Sequence, residues 1–185
     1  MKKVLVVIDA QNDFINGSLR NEDAIKAIPN LVKKIRSFDG DEIFVTQDTH
    51  EKYYLETPEG KKLPVVHCVD GTEGWKLNAN VSAALDDAKL RNINVTYIKK
   101  PTFGSYELVD KIKELYINGV ETVDIEFIGF CTDICVVSNV LLIKAALYDI
   151  ANITVDASCC AGVTPETHIA ALTTMKMCQI DVINE

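Results

Sequence analysis

Cys135 is the residue with the most chemical potential. It follows Gly129-Phe130-Cys131-Thr132-Asp133-Ile134 and precedes a largely apolar stretch. That pattern puts it in the first turn of a helix leaving a strand. There the positive end of the helix dipole favours thiolate. A thiolate attacks carbonyl carbon when a base takes its proton and donors hold the oxyanion. Asp9 is the candidate base. Lys100 is a cation able to stabilise the thiolate and hold that carboxylate in place. Backbone N–H groups near Cys131 and Cys135 are the candidate oxyanion donors. Each residue also has a plainer reading. Cys135 could be a buried structural cysteine, Asp9 a turn cap and Lys100 a solvated charge beside Lys99.

A second group has the composition of a metal site. The chain has three histidines, and two of them, His50 and His67, fall within one long polar segment. Asp48 and His50 are two apart, so in extended chain both face one point. Carboxylate plus imidazole suits zinc, iron, manganese or nickel better than calcium. Glu51, Glu56 and Glu59 lie in the same segment, and composition does not choose among them. His168, far along the chain, reads as structural.

These residues need a frame that gathers them. Segments 3–10, 42–47, 95–99, 123–130, 153–157 and 179–183 read as short strands, the first a continuous run of Val, Leu and Ile. Helical patterns separate them at 22–38, 78–90, 105–118, 132–146 and 166–177. Asn21 is placed to cap the first, with Pro29 disturbing it or opening its second part. Gly119 stands at the stop of the third, and Pro165 opens the last. Alternating strands and helices predict one three-layer α/β/α domain around a six-stranded, mostly parallel sheet. Ligands bind such sheets at the carboxyl ends of the strands. Asp9, Asp48 with His50, Lys100, and Cys131 with Cys135 all fall at or just beyond predicted strand ends. That joint placement favours chemistry over the plainer readings. The segment 48–75 shows no clear periodicity, and a loop that long in a compact domain is usually functional.

Composition narrows the partners. Of the 185 residues, 48% are hydrophobic and 25% charged, as in an ordinary soluble domain. A formal net charge of -8 argues against nucleic acid or an anionic membrane as partner. No apolar run approaches the ~20 residues that span a bilayer. Five apolar residues after Lys2-Lys3 are too few for a signal peptide. A cytoplasmic protein is expected. The cysteines, Cys68, Cys131, Cys135, Cys159, Cys160 and Cys178, are then expected to be free. A homo-oligomer is an open option, since the apolar segment 136–147 suits either an interface or a core.

Three segments carry a resemblance. Asp9-Ala10-Gln11-Asn12-Asp13-Phe14, Lys100-Pro101-Thr102-Phe103 and Gly129-Phe130-Cys131-Thr132-Asp133-Ile134-Cys135 resemble, in order, the signature segments of the isochorismatase-like cysteine hydrolases. The resemblance runs over essentially the whole chain and implies that fold. It implies an Asp9–Lys100–Cys135 catalytic triad and a cis peptide between Phe130 and Cys131 that aims the Cys131 N–H at the oxyanion. True isochorismatases lack the cysteine nucleophile, so Cys135 speaks against that activity.

Within the superfamily, nicotinamidases are most similar. Their metal motif matches Asp48, His50 and His67, with Glu59 after Pro58 as the added carboxylate. This implies a divalent ion, zinc first and iron or manganese as alternatives, and hydrolysis of nicotinamide to nicotinate and ammonia in NAD salvage. Phe14, Leu19, Phe103, Phe130 and Cys131 are the implied substrate-binding residues, with Tyr106 a further ring for the pocket. One departure stands out: nicotinamidases place an aromatic residue three positions before the last metal histidine, and here that position is Pro64. Another small amide or an N-carbamoyl compound is the rival substrate. A non-catalytic metal or small-molecule binding module is the rival from a different class.

Overall fold

The computed structural model describes residues 2–117, 122–148 and 150–185. Six strands form one sheet: β1 (Lys2–Ile8), β2 (Glu42–Asp48), β3 (Asn94–Lys100), β4 (Val123–Phe130), β5 (Ala151–Ala161) and β6 (Asp181–Ile183). Their order is β3-β2-β1-β4-β5-β6, and every pairing is parallel. The expected "mostly parallel" sheet is thus wholly parallel.

Direction reverses between β1 and β4, and the helices follow. The chain runs outward from β1 to β3 through the short α1 (Asn12–Ile15), then α2 (Glu22–Ser37), the short α3 (Pro58–Lys62) and α4 (Ala79–Leu90), of which α2 and α4 cover one face. It then returns through α5 (Tyr106–Ile117) and runs outward again through α6 (Val137–Leu147) and α7 (Pro165–Met177), which cover the other. Right-handed crossovers require this switch of face when the direction of travel reverses. In β1, Val4, Val6 and Ile8 pack towards α5, α6 and α7, while Leu5 and Val7 pack towards α2 and α4. A strand buried on both faces must be apolar at every position, which explains its unbroken run.

The differences from sequence expectation are local. β5 runs to Ala161, so Cys159 and Cys160 lie inside it instead of after it. The pairing of β4 and β5 shifts register between Phe127 and Gly129. Pro29 leaves α2 continuous. The stop expected around Asn118 and Gly119 lies outside the described residues. The segment after β2 is not structureless. It holds a short 3-10 turn (Tyr54–Glu56) and α3 (Pro58–Lys62), whose first turn is capped when Thr57 Oγ1 accepts from Gly60 N–H. A bridge pairs His50 with Val69. No helix among the described residues is long and apolar enough to cross a membrane.

Candidate active site and metal centre

The switch point between β1 and β4 gathers the predicted residues. Asp9 follows β1 in a left-handed conformation, φ 45°, which turns its side chain out of the strand path. Thr46 Oγ1, on neighbouring β2, donates to Asp9 Oδ1 at 2.7 Å. Asp9 Oδ2 lies 2.6 Å from Lys100 Nζ, yet out of line for a hydrogen bond. Lys100 ends β3 and is fully buried. Its ammonium also donates to Thr102 O at 3.1 Å and contacts Cys135 Sγ at 3.4 Å. One ammonium therefore touches both the candidate base and the candidate nucleophile.

Cys135 sits in a single turn of π-helix (Thr132–Val136) that precedes α6, instead of the regular helical turn expected. π-turns are frequent at functional sites. Asn139 fixes the turn: its Nδ2 donates to Cys135 O at 2.7 Å and to Phe103 O at 2.9 Å, and its Oδ1 accepts from Ser105 N–H. The Phe130–Cys131 peptide is cis, as the resemblance implies.

Burial dominates the electrostatics. It raises the Asp9 carboxyl, although Lys100 and Thr46 pull the other way. It also lowers the tendency of Lys100 to stay charged, but Asp9, Cys135 and Asp48 more than offset this and hold Lys100 above its ordinary range. Cys135 is pushed well up by burial and by the Asp9 charge, against Lys100. The lowering expected from the helix dipole is thus outweighed by burial. Burial favours the thiol form of Cys135, and the Asp9 carboxylate is the nearby group able to accept its proton. Cys131 is likewise pushed up to about 12 by burial.

Asp48 connects this triad to the second cluster. Its Oδ1 lies 3.3 Å from Lys100 Nζ. Its Oδ2 lies 2.9 Å from His50 Nε2 and 3.5 Å from His67 Nε2. Glu59 Oε1 stands 3.7 Å from His50 Nε2 and 4.0 Å from His67 Nε2. Gln11 holds Asp48 at both backbone groups, donating to its carbonyl at 2.8 Å and accepting from its N–H at 2.7 Å.

The donor set fits a divalent cation. The ligand atoms of Asp48, His50 and His67 all lie within 4.8 Å of one another. His50 Nε2 is buried with no hydrogen-bond partner among the described residues. His67 Nδ1 lies 2.8 Å from Val65 O, which can only accept. That bond puts the proton on Nδ1 and leaves Nε2 free as a ligand atom, the usual outer-shell arrangement for a metal-binding histidine. Burial lowers His67, but the Asp48 and Glu59 carboxylates outweigh it, so the cluster's field favours added positive charge.

A cavity of about 610 Å³ opens onto both clusters. Phe14, Leu19, Leu63 and Phe103 supply apolar wall, and it reaches Cys131 and Cys135 on one side and Asp48, Glu59 and His67 on the other. Of the expected pocket residues, Phe130 is the exception: it is fully buried in the core and does not line the cavity. Tyr106 is 78% exposed and also outside the wall. Gln11, Thr46 and Asn139 were not singled out by sequence reasoning. Gln11 stood within a quoted motif, but nothing local marks the others. Their roles depend on contacts across the sheet.

A doubly wound α/β domain with a buried Asp–Lys–Cys group beside a His/carboxylate cluster is the architecture of a small hydrolase. The isochorismatase domain profile matches residues 3–184, and the chain belongs to that family of hydrolases. Its fold resembles that of the nicotinamidase/pyrazinamidase PncA from Bacillus subtilis, at TM-score 0.83 and 28% identity over 100% of both chains. A pyrazinamidase from Pyrococcus horikoshii in complex with zinc matches at TM-score 0.73 and 26% identity, again over 100% of both chains. An N-carbamoylsarcosine amidase from Thermoplasma acidophilum matches at TM-score 0.72 and 26% identity, over 98% of this chain and 95% of that one. No curated protein sequence matches the chain.

Proposed function

We propose that this protein is a metal-dependent cysteine amidohydrolase that converts nicotinamide to nicotinate and ammonia, with Asp9, Lys100 and Cys135 as the triad. The observation that carries this reading is the Lys100 ammonium, which touches Asp9, Cys135 and the metal-cluster residue Asp48 together. Similarity to nicotinamidases supports the substrate.

Asp9 accepts the Cys135 proton, and Sγ bonds to the amide carbon. The Cys131 and Cys135 N–H groups hold the developing oxyanion. Asp9 then returns the proton to the departing nitrogen, ammonia leaves, and a thioester remains. Asp9 next takes a proton from water, which attacks the thioester carbon. Collapse releases the carboxylic acid and restores the Cys135 thiol. Lys100 balances the charge that moves between Asp9 and Cys135. Asp48, His50, Glu59 and His67 would hold a divalent ion, zinc first, which would supply Lewis acidity to orient the substrate. Phe14 and Phe103 flank the ring.

The test is ammonia release from nicotinamide by purified protein, with and without chelation, beside Cys135→Ala. Chelator-sensitive release that Cys135→Ala abolishes supports the proposal. Full turnover by Cys135→Ala overturns the mechanism. A second reading, hydrolysis of an N-carbamoyl compound, is favoured by the aliphatic wall at Leu63, beside Pro64, and by the similarity to N-carbamoylsarcosine amidase. Ammonia release from an N-carbamoyl amino acid and none from nicotinamide would select it.

A further inference from the structure

Asp13 lies outside the triad and outside the metal cluster, yet it is almost completely buried. Its carboxylate is spoken for at both oxygens. Oδ2 accepts from Cys68 N–H at 2.8 Å, and Oδ1 accepts from Ser18 N–H at 3.0 Å. Two glycines make room for it. A Cβ on Gly74 would run into the carboxyl group itself, and one on Gly17 would run into Oδ1 and the Asp13 backbone. The Asp13 N–H donates to Gly74 O at 3.0 Å, and its carbonyl accepts from Leu19 N–H at 2.9 Å.

The position of Cys68 gives this cradle its meaning. Cys68 follows His67 directly and is held at φ 46°, a left-handed conformation uncommon for a residue with a Cβ. Its carbonyl accepts from the His50 N–H at 2.9 Å. The Cys68 residue therefore stands between the two histidines, and its N–H is anchored by Asp13. On the other side, Ser18 and Leu19 line the cavity.

We propose that Asp13 is a positioning residue for the metal centre: through Cys68 it sets the separation and aim of His50 and His67, and through Ser18 and Leu19 it ties them to the pocket wall. This rests on the metal-dependent reading above. A carboxylate accepting two backbone N–H groups in a buried site holds them in fixed directions, which a neutral amide, with one accepting oxygen, cannot do for both.

The experiment is zinc affinity, measured by competition with a chromophoric chelator on metal-stripped wild type, Asp13→Asn and Gly74→Ala. Outer-shell partners of ligand histidines typically contribute about 10–100-fold to metal affinity, and Asp13→Asn is expected to lose that much. Gly74→Ala keeps the carboxylate but displaces it, and is expected to lose affinity in the same range. The double variant is expected to be no worse than the weaker single one. Alkylation of Cys135 by iodoacetamide is expected to be unchanged in both, because Asp13 touches no triad residue. Folded variants that bind zinc as tightly as wild type would overturn the inference and leave the metal reading intact. A wild type that binds no divalent ion would overturn the metal reading itself, and the inference with it. Gly74→Ala decides the matter if Asp13→Asn does not fold.

Discussion

Asp48 and Lys100 are direct register partners across β2 and β3, and the Asp48 carboxylate divides its oxygens between two clusters. Oδ1 faces the Lys100 ammonium at 3.3 Å and Oδ2 faces His50 Nε2 at 2.9 Å. The candidate metal cluster and Cys135 are thus one electrostatic unit. The Asp48 charge raises the Cys135 thiol, while burial and Asp9 act in the same direction more strongly. In metal-free protein, Asp48→Asn is expected to move the pH profile of Cys135 alkylation to lower pH. His67→Ala, which removes a candidate ligand with no contact to Lys100, is expected to leave that profile in place and, in a separate titration, to weaken zinc binding. Identical profiles for the two variants would show that the clusters are independent.

The pH dependence of turnover follows from Asp9. A general base works only when ionised, so activity falls as pH drops through its pKa. Burial raises that pKa, and the opposing effects of Lys100 and Thr46 do not cancel it. The acidic limb of kcat/KM is therefore expected above the ordinary aspartate value of about 3.9. Thr46→Val keeps the shape and removes the hydroxyl that donates to Oδ1. It should move the acidic limb to still higher pH. An unmoved limb in Thr46→Val would show that another group sets it.

Asn139 offers a test of how the nucleophile is held. Its side chain satisfies the Cys135 carbonyl and the Ser105 N–H in buried bonds and the Phe103 carbonyl in a partly buried one. Asn139→Ala strands the two buried groups, and each buried group left unpaired costs about 1–3 kcal/mol. The variant is expected to melt several degrees lower and to lose kcat, since the turn that carries Cys135 loses its tie. Unchanged kcat in the folded variant would show that the π-turn holds Cys135 unaided.

Much of this was legible in the sequence, for identifiable reasons. A strand buried on both faces is written as continuous Val, Leu and Ile, so β1 stands out. Strand ends then list the site, because an open parallel sheet presents its carboxyl ends together. That is why Asp9, Lys100 and Cys135 could be gathered without coordinates. The far end of β5 was harder. Its Ala, Ser and Cys residues lack a strand signature, and it is held by pairing with β4 across a register shift. The resemblance implies a pocket role for Phe130, but alternation along β4 turns it into the core. The resting state of Cys135 could not be read from helix position alone. Its pKa depends on complete burial, a tertiary property.

A last prediction concerns stability away from the site. Lys34 on α2 lies 2.9 Å from Asp156 of β5 and 2.6 Å from Glu126 of β4. Asp156 is buried, and its carboxylate also accepts from Ser158 and from Asn184 Nδ2. Burial works to raise Asp156, but Lys34 and Ser158 outweigh it and hold the carboxyl below its ordinary value. A depressed folded-state pKa contributes stability that is full above the unfolded value and fades as pH falls through the folded one. Lys34 is raised in turn, with Glu126 and Asp156 outweighing its own desolvation, so its contribution persists at neutral pH and fades only under strongly alkaline conditions. Lys34→Met is therefore expected to lose about 2 kcal/mol at pH 7, within the range for hydrogen bonds to charged groups. The deficit should shrink once the pH drops below the ordinary carboxylate range. Urea melts of wild type and Lys34→Met at pH 7 and near pH 3 check this, and a deficit that is the same at both would rule out the Lys34–Asp156 pair as its source.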